Sequence, residues 1–391
     1  MNAATDLLEL LAGRSAGIAE DRDWRVLLEL ADRTLTTPAL RHSPGLPLWL
    51  RQEVEARIAK NVFRRARLIE TYQQAAEALR KAGIDSVLLK GFTHEIDAAW
   101  DPALRTQCDI DLLCPAEAGE PAQAALLACG FQFHDGSELS DNHRRPMLKP
   151  HQWSWKGDYF DPELPVSVEL HHTIWSQQRD RVRTPGTEAF WDRRETMHAG
   201  GLEVPAFRDA DRLGTAALHL LRHVLRNNVR PLHAFELARM LQRRSADHAF
   251  WQRWSQHPAE LQWLQSIAFQ LAALWFHAEM PEPAKAAFAQ LPARIHSWFD
   301  EFAYAPILGL THPNKDALWL HLALLPRFWD RAIVARRKLL PGRLPASQQA
   351  TGSYLGHVAT RGRYHALALA RALWTGSRSA AQRSTASHTS D

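Results

Sequence analysis

Cys108-Asp-Ile-Asp-Leu-Leu-Cys114 is an apolar run interrupted by two carboxylates one residue apart. Its length and its aliphatic residues read as a buried strand, in which alternate side chains leave opposite faces. Asp109 and Asp111 therefore share one face, while Ile110 and Leu112 take the other. Two anions this close repel, and burying them unpaired is costly. A divalent cation is the simplest partner that makes the pair favourable. Mg²⁺ takes few protein carboxylates and keeps positions for water and substrate phosphates, so the pair points to phosphoryl or nucleotidyl transfer rather than to a structural ion. An edge strand with both carboxylates in solvent is the alternative, and the flanking apolar residues speak against it.

Working outward, the chain changes texture on both sides of this run. The first 80 or so residues read as helical, with Leu50, Val54, Ile58, Val62 and Ile69 near helical spacing and Lys81-Ala-Gly83 as a stop. Ser86–Lys90 reads as a short strand, Gly91 as a turn, and Thr93–Trp100 as a helix. After the aspartates come a helix over Glu117–Cys129 and three alternating stretches that predict strands, Phe131–His134, His151–Trp155 and Val166–His171. Beyond Trp175 the chain returns to helices, the clearest being Arg212–Leu225, Leu232–Arg243, Phe250–Ala278, Ala284–Ala289 and Lys315–Leu339. The fold class expected is α+β, a small mixed β-sheet core flanked by N-terminal helices and a mostly helical C-terminal region. The boundaries expected are 1–82, 83–176, 177–376 and a disordered tail over 377–391, rich in Ser, Thr, Ala and Gln.

Composition bounds the function without choosing it. The 391 residues, 46% hydrophobic and 23% charged, suit a globular protein of two or three packed units. The N-terminus carries Asp6 and Glu9 and does not read as a signal peptide, and the longest apolar stretches are about half the ~20 residues of a membrane span. A cytoplasmic location is the expectation. Cys108, Cys114 and Cys129 read as small core residues rather than a disulfide or zinc framework. The net charge of +4 is unevenly spread. Between Arg327 and Arg378, Arg327, Arg331, Arg336, Arg337, Lys338, Arg343, Arg361, Arg363, Arg371 and Arg378 face a single acid, Asp330. That stretch fits an anionic partner or, more plainly, a solvated helical surface.

Several residues qualify for chemistry beside the aspartates. Glu169 is the natural third carboxylate, on a strand whose polar face also carries Ser167 and His171. It suits a metal or a general base. Lys90-Gly91 joins a strand to a helix, a junction that can cradle phosphate, with Thr93 adding a hydroxyl. Arg105, four residues before Asp109, can reach a triphosphate or balance the aspartates. His219 and His223 share a helix face but lack the intervening Glu of a metalloprotease, which favours a structural or acceptor-facing role.

Leu88-Leu-Lys-Gly91, Arg105-Thr-Gln-Cys-Asp-Ile-Asp-Leu-Leu113 and Val168-Glu-Leu-His171 together resemble the uncharacterised bacterial nucleotidyltransferase family of the polymerase-beta-like superfamily. The resemblance covers Val87–Trp175 and extends more loosely to Leu218–His223 and the Leu232–Leu241 helix. It implies a nucleotidyltransferase core in which Asp109, Asp111 and Glu169 hold two Mg²⁺ ions and Lys90 and Gly91 meet the phosphates of an NTP. Two departures stand out: Phe92 follows Gly91 where the superfamily has Gly or Ser, and the third acid is Glu where Asp is commoner. An NTP and an unknown hydroxyl-type acceptor (small molecule, peptide or protein) are the partners implied. A catalytically inactive scaffold of the same fold, working through its basic C-terminal surface, is the other reading. A metal-dependent phosphohydrolase would need a further ligand cluster, and no such cluster is evident near the pair.

Overall fold

Five strands make one mixed sheet in the order β1-β2-β5-β4-β3, from β1 (Val87–Leu88), β2 (Asp109–Leu113), β3 (Gln132–Phe133), β4 (Met147–Leu148) and β5 (Ser167–His171). The central pair, β2 and β5, is parallel, and β1–β2, β4–β5 and β3–β4 are antiparallel. This computed structural model describes residues 2–18, 20–97, 100–134, 140–312, 314–340, 362–364 and 366. The expected tail, together with Arg343, Arg361, Arg371 and Arg378 of the basic stretch, lies outside the described residues.

By contact, the chain divides into two units, one of Met1–Arg179, Arg183–Arg222 and Arg230–Gln290, the other of Asp180–Val182, His223–Val229 and the residues from Leu291 on. In the first unit, α1 (Ala3–Leu11) and α2 (Asp21–Arg33) precede α3 (Leu48–Lys81), a helix of 34 residues. The buried positions of α3 run Leu50, Val54, Ile58, Asn61, Arg64, Leu68, Tyr72, Ala75 and Leu79. Steps of four drift by roughly 40° on a helix of 3.6 residues per turn, so a stripe that stays on one face must mix steps of three and four. Val62, on a continued run of fours, is therefore half in solvent, and Asn61 takes the inward place. Asn61 Nδ2 donates to the carbonyls of Ala103 and Arg105, and the Arg64 guanidinium donates to those of Tyr159 and Asp161. The long helix thus pins the loops entering β2 and β5.

The apolar side of the sheet buries Ile110, Leu112, Val168 and Leu170 against Leu68, Tyr72, Ala75 and Leu79 of α3 and Ala122 and Leu126 of α5 (Gly119–Ala128); α4 (Thr93–Asp97) follows Gly91. Each such aliphatic side chain contributes about 1.5–3 kcal/mol by leaving water. A one-residue slip of either central strand would put carboxylates in this core, so the register is strongly specified.

Two expectations about where strands fall need correction. His151–Trp155 is not a strand, and the pairing strand is Met147–Leu148. The alternating tryptophans instead pack locally, with Trp155 against Trp153 and Tyr159 and Trp153 Nε1 donating to Asp161. The return to helices after Trp175 is interrupted by a hairpin, β6 (Glu195–Ala199) and β7 (Leu202–Ala206). Its two-residue turn is Gly200-Gly201, with φ of +63° and +79°, the positive pair that a tight hairpin requires. Ala199 and Val204 of the hairpin join the same core.

After α6 (Gln177–Asp180) come α7 (Asp209–Leu225), α8 (Pro231–Arg244), α9 (His248–Trp254), α10 (Ala259–Phe276) and α11 (Glu282–Ala289). The single helix expected over Phe250–Ala278 is two, because Pro258 stands between α9 and α10 and lacks the amide a helix interior needs. The second unit carries α12 (Ala293–Phe302), α13 (Ala305–Leu308), α14 (Ala317–Leu324) and α15 (Phe328–Leu339). Pro326 likewise divides the expected Lys315–Leu339 helix into α14 and α15. Among the described residues, no helix is long and apolar enough to cross a membrane.

Candidate active site

The parallel register of β2 and β5 sets Asp109 beside Ser167, Asp111 beside Glu169 and Leu113 beside His171. Paired residues share a face, so this one ladder brings three carboxylates and an imidazole to the side of the sheet opposite the core. Asp111 is buried and its Oδ1 lies 2.7 Å from His171 Nε2 and 3.0 Å from Lys90 Nζ. Glu169 Oε2 lies 3.6 Å from His171 Nε2 and 3.7 Å from His143 Nε2. Asn142 Nδ2 lies 3.2 Å from His171 Nδ1, on the side of the ring away from the Nε2 that faces the carboxylates.

The charges around this face are unequal. Burial raises Asp109, and the neighbouring Asp111 and Glu169 add to it, so that Lys90 and Arg230 leave its pKa at about 6. Burial pushes Asp111 up as well, but Lys90 and His171 outweigh it and hold the carboxyl well below its usual range. Glu169 is lowered too, since His171 and His143 overcome burial and the repulsion of Asp111. For His171, burial works against the charged ring, and the bonds to Asp111 and Glu169 more than offset it.

A proton held on Asp109 at about pH 6 marks a place where a cation is wanted. Ligand atoms of Asp111, Glu169 and His171 all lie within 4.8 Å of one another, close enough to share one metal ion. Asp109 sits two residues before Asp111 on the same face but outside that group of three. The donor set fits a divalent cation.

The other residues picked out by sequence divide. Lys90 joins the cluster, at Asp111. Thr93 is fully buried, and its hydroxyl donates to the Lys90 carbonyl. Arg105 is turned into the protein, with Nε 2.5 Å from Glu236 Oε1. Gly91 has φ +72°, and a Cβ there would meet Gln107 Nε2 at 2.2 Å, so it is the Gln107 side chain that crowds this turn. Gln107 in turn donates to the Asp109 carbonyl at 2.6 Å and accepts from Arg105 Nη1 at 3.1 Å. Gly91, Gln107, Arg105 and Glu236 thus form one brace beneath the first aspartate, with His94 Nδ1 also 3.5 Å from Glu236.

Sequence reasoning missed Gln107, Asn142, His143, Arg230 and Glu236. Only Glu236 had a visible signal, a carboxylate inside the apolar run Pro231–Met240 of a helix. The others depend on which loops the fold brings to the sheet.

A cavity of about 520 Å³ lies past the ends of β2 and β5, and none of Asp109, Asp111, Glu169 and His171 lines it. Its wall begins at Leu113, continues through His172–Trp175 after β5, and is completed by Arg183, Glu188 and Trp191. Apolar rings, a carboxylate and a guanidinium here can hold an organic molecule with polar groups at one end.

Residues 20–277 match the model of a family described as uncharacterised nucleotidyltransferase. No curated protein matches the chain. Among solved structures, an antigenic nucleotidyltransferase-like protein from Paracoccidioides brasiliensis is similar over 55% of this chain and 94% of that one, at 15% identity and a TM-score of 0.32, too distant to carry residues across.

Proposed function

Since the chain belongs to the uncharacterised nucleotidyltransferase family, we propose that the polar face of β2 and β5 transfers a nucleotidyl group from an NTP to a hydroxyl-type acceptor with the help of Mg²⁺. The observation that carries this reading is the convergence of Asp109, Asp111 and Glu169 on one side of two parallel strands. Mg²⁺ bound there would neutralise the triphosphate and polarise the phosphorus under attack. Two ions are the number suggested by three carboxylates on this face.

The acceptor oxygen attacks the α-phosphorus, a new P–O bond forms, and the bond to the departing pyrophosphate breaks. The acceptor's proton passes to a carboxylate of the face, for which Glu169, steadied by His143 and His171, is the best placed. His171 keeps Asp111 aimed and ionised. Lys90, at 3.0 Å from Asp111, balances the cluster when no metal is present and is free to turn to phosphate when one is. The cavity beyond Leu113 serves the acceptor.

Calorimetric titration of the protein with each NTP and Mg²⁺ tests this, beside the Asp109→Ala/Asp111→Ala variant. Mg²⁺-dependent NTP binding that is lost in the variant is expected. Absent binding, or affinity that the double substitution leaves unchanged, refutes the reading and leaves a scaffold of the same fold.

A further inference from the structure

Among the described residues of the second unit, one basic helix carries an exposed apolar face. In α15, Phe328 is 72% and Trp329 75% exposed, with Leu339 at 39% and Leu340, directly after the helix, at 53%. Eleven residues are close to three turns, so Leu339 and Leu340 fall on the azimuths of Phe328 and Trp329, about 16 Å further along the axis. Ala332 and Ile333, half-buried, lie between them on the same side, the exposed Arg336 falls within that stripe, and the exposed Arg337 is at its edge. The opposite side is the one that packs. Val334 is buried, Lys338 Nζ donates to the Leu225 carbonyl, Arg331 Nε donates to that of Leu325, and Asp330 faces Arg181.

Helices on a protein surface ordinarily put their apolar stripe inward. Here large aromatic and aliphatic side chains point outward among cations, the pattern of a helix that lies in a membrane interface. We propose that α15 docks the protein on an anionic phospholipid surface, with Phe328, Trp329, Leu339 and Leu340 entering the headgroup boundary and Arg336, set among them, reaching up to lipid phosphates.

Charge selects this occupant over the others. A second copy of the same face would bury Arg336 without an acid of this helix to pair it, since Asp330 is turned toward Arg181. A nucleic acid would use the arginines and the rings, but it gives Leu339 and Leu340 nothing to enter. A bilayer satisfies both: each basic residue near an anionic surface contributes about 1 kcal/mol, or roughly fivefold in partitioning, and the rings add apolar burial. This reading is independent of the transferase chemistry.

Co-sedimentation of the full chain with vesicles tests it. Vesicles of phosphatidylcholine with about a third phosphatidylglycerol should pull the protein down, and pure phosphatidylcholine should not. Phe328→Ser/Trp329→Ser should lower partitioning at least ~10-fold and Arg336→Gln roughly fivefold, and high salt should weaken it. These side chains are mostly in solvent, so the melting temperature of both variants should stay at that of the parent chain. Failure to sediment with the anionic vesicles overturns the proposal, as does equal binding to neutral ones. So does binding that both variants leave intact. Retention on an oligonucleotide without vesicle binding assigns the face to nucleic acid, and a dimer lost on Phe328→Ser/Trp329→Ser assigns it to a second copy; either result also overturns it.

Discussion

Replacing Glu236 by Leu should destabilise the first unit far more than replacing Glu236 and Arg105 together. Glu236 is 2% and Arg105 8% exposed, and two of their contacts measure 2.5 and 3.4 Å. Removing the carboxylate strands a buried guanidinium that retains Gln107 as an acceptor. Breaking one half of a buried pair costs about 3–5 kcal/mol, whereas replacing both halves with apolar groups is often near neutral. With a urea slope of about 2 kcal/mol/M, Glu236→Leu should lower the unfolding midpoint by about 1.5–2.5 M. Arg105→Met should act similarly, and the double variant Arg105→Met/Glu236→Leu should recover most of the loss, a coupling of about 3 kcal/mol. The pH dependence has a definite sign. Burial raises Glu236, but Arg105 and His94 outweigh it and the carboxyl is lowered overall. Its stabilisation is therefore present above the unfolded value of about 4.3 and is lost as pH falls through the lower folded value. The gap between the parent chain and Glu236→Gln should accordingly narrow below about pH 4. A midpoint shift under about 0.5 M for Glu236→Leu, or a double variant as unstable as the sum of the singles, would refute the brace.

Two further outcomes follow from the same face. Gly91→Ala places a methyl 2.2 Å from Gln107 Nε2 at φ +72° and should cost about 1–3 kcal/mol in thermal or urea unfolding. Adding Gln107→Ala should relieve the collision but not the backbone strain. If Mg²⁺ binds at Asp109 as proposed, it competes with a proton whose pKa is raised to about 6, and its apparent affinity by calorimetry should fall as pH drops through 6. The decline should approach about tenfold per unit, and Asp109→Asn should flatten it; a flat profile in the parent chain would exclude Asp109 as a ligand.

Much of this face was legible in local chemistry. Alternation in a strand is a property of the backbone, so Asp109 and Asp111 had to share a side, and likewise Glu169 and His171. The hairpin has a local signal too, since Gly200-Gly201 joins Glu195–Ala199 to Leu202–Ala206 by a two-residue turn. His151–Trp155 is the contrary case: its alternation is real, yet its rings find partners within the loop.

Alternation decides which side a residue takes on its own strand, and it carries no information about the neighbouring strand. That β2 and β5 lie parallel with Asp111 level with Glu169 was settled by the shared core of Ile110, Leu112, Val168 and Leu170, packed on α3 and α5. The same holds for the cations. Arg105 looked free to meet a phosphate, but a carboxylate 131 positions away holds it, while Lys90 reaches Asp111 because β1 pairs with β2. Charge partners across such separations are chosen by packing, which sums many weak contacts over the whole unit, whereas the side of a strand is fixed by the geometry of a single residue.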